Sequence, residues 1–149
     1  MSVDYLLSSL PRLDFEDAAP MTMAAFVERI APLSLAELLA PWREIETELK
    51  NAAAEARGGA EDKRPTDRCS LFWRGRVTAA FAEKDVLKRQ ALIDRVFWDA
   101  AAELTPASAP LSRGALATYA ARLEIACRRS TVSRERGNEI FDILTDSGK

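Results

Sequence analysis

The chain has 149 residues and carries 21 Lys/Arg against 23 Asp/Glu, a formal net charge of −2. That length suits one domain and can bury a core without disulfides or metal. With 48% hydrophobic and 30% charged residues, the composition is neither that of a disordered chain nor, at this net charge, that of a protein held to nucleic acid by overall positive charge.

The first segment, "VDYLLSSLP", is short and apolar and stops at Pro11. Leu6, Leu7 and Leu10 share a helical spacing, although Tyr5 and Leu7 would also share one face of a strand; the segment reads as a short helix. "PRLDFEDAAP" then predicts an extended, proline-bounded loop, with Phe15 as its anchor on the core. Thr22 can cap a helix to about Ala31, with Phe26, Val27 and Ile30 facing inward and Pro32 ending it. Ser34 with Glu37 is a capping-box pattern for a second short helix. Pro41 suits the first position of a third. In that third helix Trp42, Ile45, Leu49, Ala52, Ala53 and Ala56 form one apolar stripe that narrows to alanine. Gly58-Gly59 stops it.

Residues 58–67, "GGAEDKRPTD", are the one credible linker, and the charge changes sign there. Residues 1–62 hold 5 Lys/Arg and 12 Asp/Glu, a net of −7; residues 63–149 hold 16 and 11, a net of +5. An acidic helical segment, 1–57, thus precedes a basic one, 68–149, the two together forming one compact domain. Either the halves attract each other or the basic half meets an acidic partner.

Beyond the linker, Trp73, Val77, Ala80 and Phe81 fall on one helical face, and Gly75 weakens that helix without breaking it. Asp85 or Glu83 begins the next helix, which runs to about Leu104 and has two apolar sides. Val86, Ile93, Val96, Phe97, Ala100 and Leu104 make one side; Leu87, Ala91, Trp98 and Ala102 make the other. A helix apolar on two sides is usually central in its bundle. "TPASAP" is a turn. Ser112 caps a helix to about Ser130, with Leu116, Tyr119, Ala120, Leu123, Ala126 and Cys127 inward and Ile125 nearly opposite Leu116. Ser133 starts the last helix, with Ile140, Phe141 and Leu144 inward. Strand signals are nearly absent. The fold class is all-α, an irregular bundle of six or seven helices. No run approaches 18 apolar residues, so no membrane span is expected, and the N-terminal stretch lacks an apolar run of signal length. A cytoplasmic location follows, peripheral to a membrane only through a partner.

The chemistry open to these residues is narrow. The chain has no histidine, which removes the Ser-His and Cys-His nucleophile pairs and the commonest general base. No phosphate-cradling glycine loop occurs. Cys69 and Cys127 have no metal spacing and read as reduced small hydrophobes. Glu44 with Glu48, and Asp99 with Glu103, stand one helical turn apart and could hold a divalent cation. Lys88 and Arg95 on the same side as Asp99 and Glu103 point instead to a solvated ion-paired face. No catalytic, cofactor or metal residues are indicated. The cluster Arg128, Arg129, Arg134 and Arg136 could neutralise phosphates, which makes a nucleic-acid-binding helical module the alternative reading. Against it, Glu124 can pair with Arg128, Glu135 and Glu139 are interleaved, and arginines late in a helix also complement its dipole.

Three stretches carry a family resemblance: "YLLSSLPRLDFED", "RQALIDRVFWDAAAELT" and "LATYAARLEIACRRSTVSRERGNEIFDIL". Together they resemble the bacterial domain of unknown function 2764, encoded beside the subunits of V/A-type ATPases and distantly similar to the C subunit of those machines (the V-ATPase d subunit). The shared pattern is Arg95, Trp98 and Asp99, then Leu116, Tyr119, Leu123 and Ile125 through Arg128 and Arg129, then Gly137 and Phe141. The resemblance implies a non-enzymatic protein, accessory or C-subunit-like, that docks to the rotor ring or central stalk. Its partners would be V/A-type ATPase subunits, with Trp98, Ile125, Arg128, Arg129, Arg134 and Arg136 as the contact residues. That use of helix faces and an arginine edge is the expectation taken to the structure.

Overall fold

In a computed structural model the described residues are 2–147 except 67 and 69; side chains at 60 and beyond 132 lie outside the description. Six α-helices follow one another: α1 (Val3–Ser9), α2 (Met23–Ile30), α3 (Leu35–Ala56), α4 (Leu71–Ala80), α5 (Val86–Ala100) and α6 (Arg113–Ser147). Short 3-10 turns occupy Ala60–Asp62 and Ala101–Leu104, and no strand occurs among the described residues. The all-α class is therefore as the periodicity predicts.

Most helix starts are set by short polar side chains. Thr22, Ser34, Ser70 and Asp85 each accept a hydrogen bond from the backbone N–H three residues on. Ser112 does the same for Ala115, at 3.4 Å. Each such cap is worth about 1 kcal/mol. At the end of α3, Gly58 adopts φ +80°. Its N–H bonds to Glu55 and that of Gly59 to Ala54. This is the paired closure that leaves a glycine in the left-handed region.

Two expected helix boundaries are absent. Pro41 does not start a third helix; it lies inside α3. An interior proline costs about 3 kcal/mol. Leu38, Leu39, Trp42 and Ile45 are all buried across the junction, each worth about 1.5–3 kcal/mol, while Pro41 itself is exposed. Continuing the stripe outweighs the lost bond. Ser133 likewise starts nothing: the backbone of α6 is helical from Arg113 to Ser147. The expected inward set Ile140, Phe141 and Leu144 falls outside the described side chains.

One apolar core draws on residues from Leu6 to Ala126. Helix α6 packs against α1, α2, α3, α5 and the turn Ala101–Leu104, so it, rather than α5, is the central helix. Leu116, Ala120, Leu123 and Ala126 line one of its buried sides. Ala117, Ala121 and Ile125 line a second, and all three are buried. Ile125, expected as a partner contact, is interior instead, because two alanines extend its face one and two turns back. On α5 the reverse holds: Val86, Leu87 and Ala102 are exposed, whereas Ile93, Val96, Phe97 and Trp98 are buried. The first turn of α5 overruns the core.

Of the other expected core residues, Trp42, Leu49 and Leu123 are fully buried, while Phe81 and Tyr119 are half-buried. Trp42 meets Phe97 edge-on, with centroids 6.4 Å apart. Phe26 stacks on Tyr119 at 5.8 Å. At the start of α6, a Cβ on Gly114 would run into the Leu104 carbonyl, so only glycine permits that approach.

The segment between α1 and α2 is tied along α6. The Tyr119 hydroxyl donates to Pro11 O at 2.7 Å. Ala19 N–H donates to Ser130 Oγ at 3.0 Å. The Cys127 thiol donates to Met21 O at 3.4 Å. Phe15, buried as expected, meets Trp98 edge-on at 5.5 Å.

Trp98 is 5% exposed, enclosed by Phe15 and by Arg122, whose guanidinium lies 5.3 Å from the ring centre. Trp98→Ala is expected to cost roughly 3–5 kcal/mol in denaturant unfolding; a loss below about 1 kcal/mol would mean that the segment between α1 and α2 closes with α6 over the gap. Burial pushes the Tyr119 phenol above its ordinary value of 10.0, with the Arg29 charge opposing. The fold therefore favours the neutral phenol. That contribution is intact below the unfolded pKa and disappears as pH rises through the higher folded value. Tyr119→Phe should cost about 1 kcal/mol at neutral pH and flatten the alkaline decline in unfolding free energy.

Candidate partner-binding site

The residues expected to meet a partner do not form one surface. Trp98 and Ile125 are interior, at 5% and 3% exposure, so neither reaches a partner in this conformation. Arg134 and Arg136 lie outside the described side chains. Arg128 and Arg129 remain, and both turn toward Asp94 on α5. Arg128 Nη2 donates to Asp94 Oδ1 at 2.7 Å. Arg129 Nη1 lies 3.6 Å from Oδ2. Gln90 Nε2 adds a third contact at 2.9 Å.

Asp94 is a buried carboxylate, and a buried charge needs such partners. The guanidinium of Arg129 also lies 3.8 Å from the centre of the Phe15 ring, and that of Arg95 lies 5.0 Å from it. Phe15 is thus covered by two cations as well as by Trp98, each cation adding about 0.5–2 kcal/mol. The expected Glu124–Arg128 pair does not form. Glu124 instead receives Arg43 of α3 through two bonds, at 2.7 and 3.0 Å. That bidentate contact, with Glu46 beside it, holds the Arg43 guanidinium above its ordinary value against the desolvation that lowers it.

The one-turn carboxylate pairs are also divided among cations. Glu44 is exposed, whereas Glu48 is buried. Glu48 accepts from Arg68 Nε at 3.2 Å and from the backbone N–H of Ser70. Asp99 holds Arg76 at 2.9 Å and Arg95 at 3.1 Å. Glu103 accepts from Arg68 at 2.9 Å and from Trp73 Nε1. Among the described residues no group of three or more acidic or cysteine side chains could hold a metal. Cys127 is half-buried and free, and burial pushes its thiol up. Cys69 lies outside the described residues.

The linker is the second place where charge gathers. Asn51 of α3 clamps Arg64 by its backbone, donating to Arg64 O at 2.7 Å and accepting from Arg64 N–H at 2.8 Å. Glu55 binds Lys63 and Arg74, the latter at 2.6 Å. Those two bonds, Lys63 first, hold the Glu55 carboxyl below its ordinary value. The segment read as a connector is therefore fastened to α3, and three cations of the basic half reach acids of the acidic half.

Large apolar side chains remain exposed at both ends of the α4–α5 hairpin. Leu71 and Phe72 open α4, and Val86 and Leu87 open α5. Sequence reasoning missed the first pair because "SLFW" was counted by its inward member, Trp73. It did not single out Asp94, whose two arginine partners lie 34 and 35 residues further along the chain. No helix among the described residues is long and apolar enough to cross a membrane. Set against known proteins, the chain matches no protein-family model, no curated protein and no solved structure.

The Asp94 network makes Arg129 a stability residue first. Arg129→Glu places like charge against a buried carboxylate and removes the cation from Phe15. A loss on the order of 2 kcal/mol is expected in thermal or denaturant unfolding. An unchanged melting temperature would show that Arg128 alone satisfies Asp94.

Proposed function

We propose that this protein is a non-enzymatic docking component of a bacterial V/A-type ATPase, a C-subunit-like or accessory chain that contacts the rotor ring or central stalk. The partner is the one the sequence resemblance implies; the means of contact is read from the surface. The observation that supports docking is the pair Leu71 and Phe72, which are 82% and 65% exposed. The helix beneath them is tightly held. Ser70 caps it, Trp73 is tied to Glu103, and Arg76 is tied to Asp99. A pre-ordered apolar pair loses little freedom when covered, so its burial converts efficiently into affinity. Arg128, about half exposed even while paired, adds a basic rim that acts on approach rate and salt sensitivity. In this reading the chain works in the cytoplasm, at the membrane surface only through its partner.

A tagged chain expressed beside the ATPase should recover its stalk or ring components. Replacing both apolar residues (Leu71→Ser with Phe72→Ser) should cut that recovery by about tenfold and leave the melting temperature nearly unchanged. Failure of the unaltered chain to recover any ATPase component would sink the proposal. Tight DNA or RNA binding with a steep salt slope, lost on Arg128→Ala, would transfer it to the nucleic-acid reading.

A further inference from the structure

The fastened linker borders a polar cavity of about 330 Å³ against α3 and α4. Lys63, Arg64, Arg68 and Arg74 line it, together with Thr66, Asn51, Pro65 and the carboxylate Glu48. Three of these four cations are paired. Glu48 and Glu103 serve Arg68, and Glu55 serves Lys63 and Arg74. Among the described residues no carboxylate meets the Arg64 guanidinium. The backbone of Arg64 is nevertheless fixed, because its N–H and C=O are both held by Asn51. A cation positioned by its backbone keeps its whole planar donor fork available.

The other groups agree in chemistry. Thr66 Oγ1 accepts from Arg68 N–H at 3.2 Å, so its own proton is available to donate. Arg68 uses Nε and Nη2 on its carboxylates, leaving Nη1 uncommitted. Among the described lining residues Glu48 is the one carboxylate, and it is already bonded to Arg68 and Ser70. The volume corresponds to on the order of ten waters, which accommodates a tetrahedral oxyanion with part of its hydration.

We propose that this cavity is a binding site for phosphate, either as the free ion or as a terminal phosphomonoester group, with Arg64 as the principal contact and Lys63, Arg68 and Thr66 beside it. The proposal is independent of the ATPase reading: it needs only Lys63, Arg64, Thr66 and Arg68 and the attachment of Arg64 to α3. Phosphate would bridge Arg64 to the cations already paired and add stability to the linker.

The test uses the full chain. Thermal unfolding is followed as inorganic phosphate is titrated in at constant ionic strength, with chloride as the reference salt. Phosphate in the millimolar range should raise the melting temperature progressively, as mass action requires of a ligand of the folded state. Arg64→Ala retains the backbone clamp, so it should fold normally while weakening phosphate binding by roughly tenfold or more. Arg57→Ala, an exposed arginine outside the cavity, should leave binding unchanged. A second arm sediments the protein with vesicles of phosphatidylcholine containing phosphatidic acid. Arg64-dependent capture there would assign a lipid phosphomonoester as the source, and Arg64-dependent stabilisation by the free ion alone would assign the soluble one. If neither probe binds, or if binding is equal in the Arg64→Ala variant, the cluster is only an ion-pair clamp and the proposal fails.

Discussion

Ala117, Ala121 and Ile125 run along one side of α6, and Leu116, Ala120, Leu123 and Ala126 along another, so a single helix is buried on both. The alanines set how closely its neighbours approach. Where they lie, the backbone of another element can come within the reach of short side chains: Thr118 of α6 donates to Ala101 O at 2.9 Å. Gly114 permits the same closeness one turn earlier. Small residues bury little area each, at about 25 cal/mol per Å². Their contribution lies in bringing the large ones together, for Trp42, Phe97, Trp98 and Phe26 all sit on helices that α6 contacts. Enlarging any of these alanines would push apart an interior packed near crystal density.

Charge is distributed around that arrangement. The acidic first half and basic second half meet chiefly at α3, where Glu48 and Glu55 take Arg68, Lys63 and Arg74. One pair runs the other way, with Arg43 of α3 on Glu124 of α6. Apart from the pair on buried Glu48, these are exposed pairs that contribute about 0–1 kcal/mol each, too little to hold the halves together. What they do is choose the path of the linker. The burial of Asp94 is different. An interior carboxylate is tolerable only with its partners in place, so Arg128 and Arg129 fix the rotation of α6 against α5 and, through Phe15, the course of the segment between α1 and α2.

The parts of this fold that were legible from residues alone are those decided within a few positions. Thr22, Ser34, Asp85 and Ser112 cap their helices as predicted, because a cap is a local contact between one side chain and an N–H three residues away. Gly58 closes α3 for the same reason. Pro41 and Ser133 misled because a local break signal was outweighed by burial across it, or, in α6, did not interrupt the helix. Ile125 misled because alanine carries little weight in a periodicity count while mattering greatly in packing. The site was less legible still. The Arg128–Glu124 spacing is right for a helix pair, yet Arg43 and Asp94, 81 and 34 residues away, won those charges. Competition between distant partners leaves no mark on spacing.

The same competition shapes where this protein can bind anything. Most arginines that looked available in the sequence are occupied: Arg43, Arg68, Arg76, Arg128 and Arg129 each have a carboxylate. Binding capacity therefore concentrates where structure anchors a residue without using the functional end of its side chain. Arg64 meets that description, since its backbone is clamped and its guanidinium is unpaired among the described residues. Leu71 and Phe72 meet it in apolar form, on a helix start anchored by their neighbours. Leu71 lies three residues before Arg74, on the same helical face as a residue lining the cavity. The end of the linker and the start of α4, where in sequence two halves are merely joined, thus carry a cation with a clamped backbone and an exposed apolar pair.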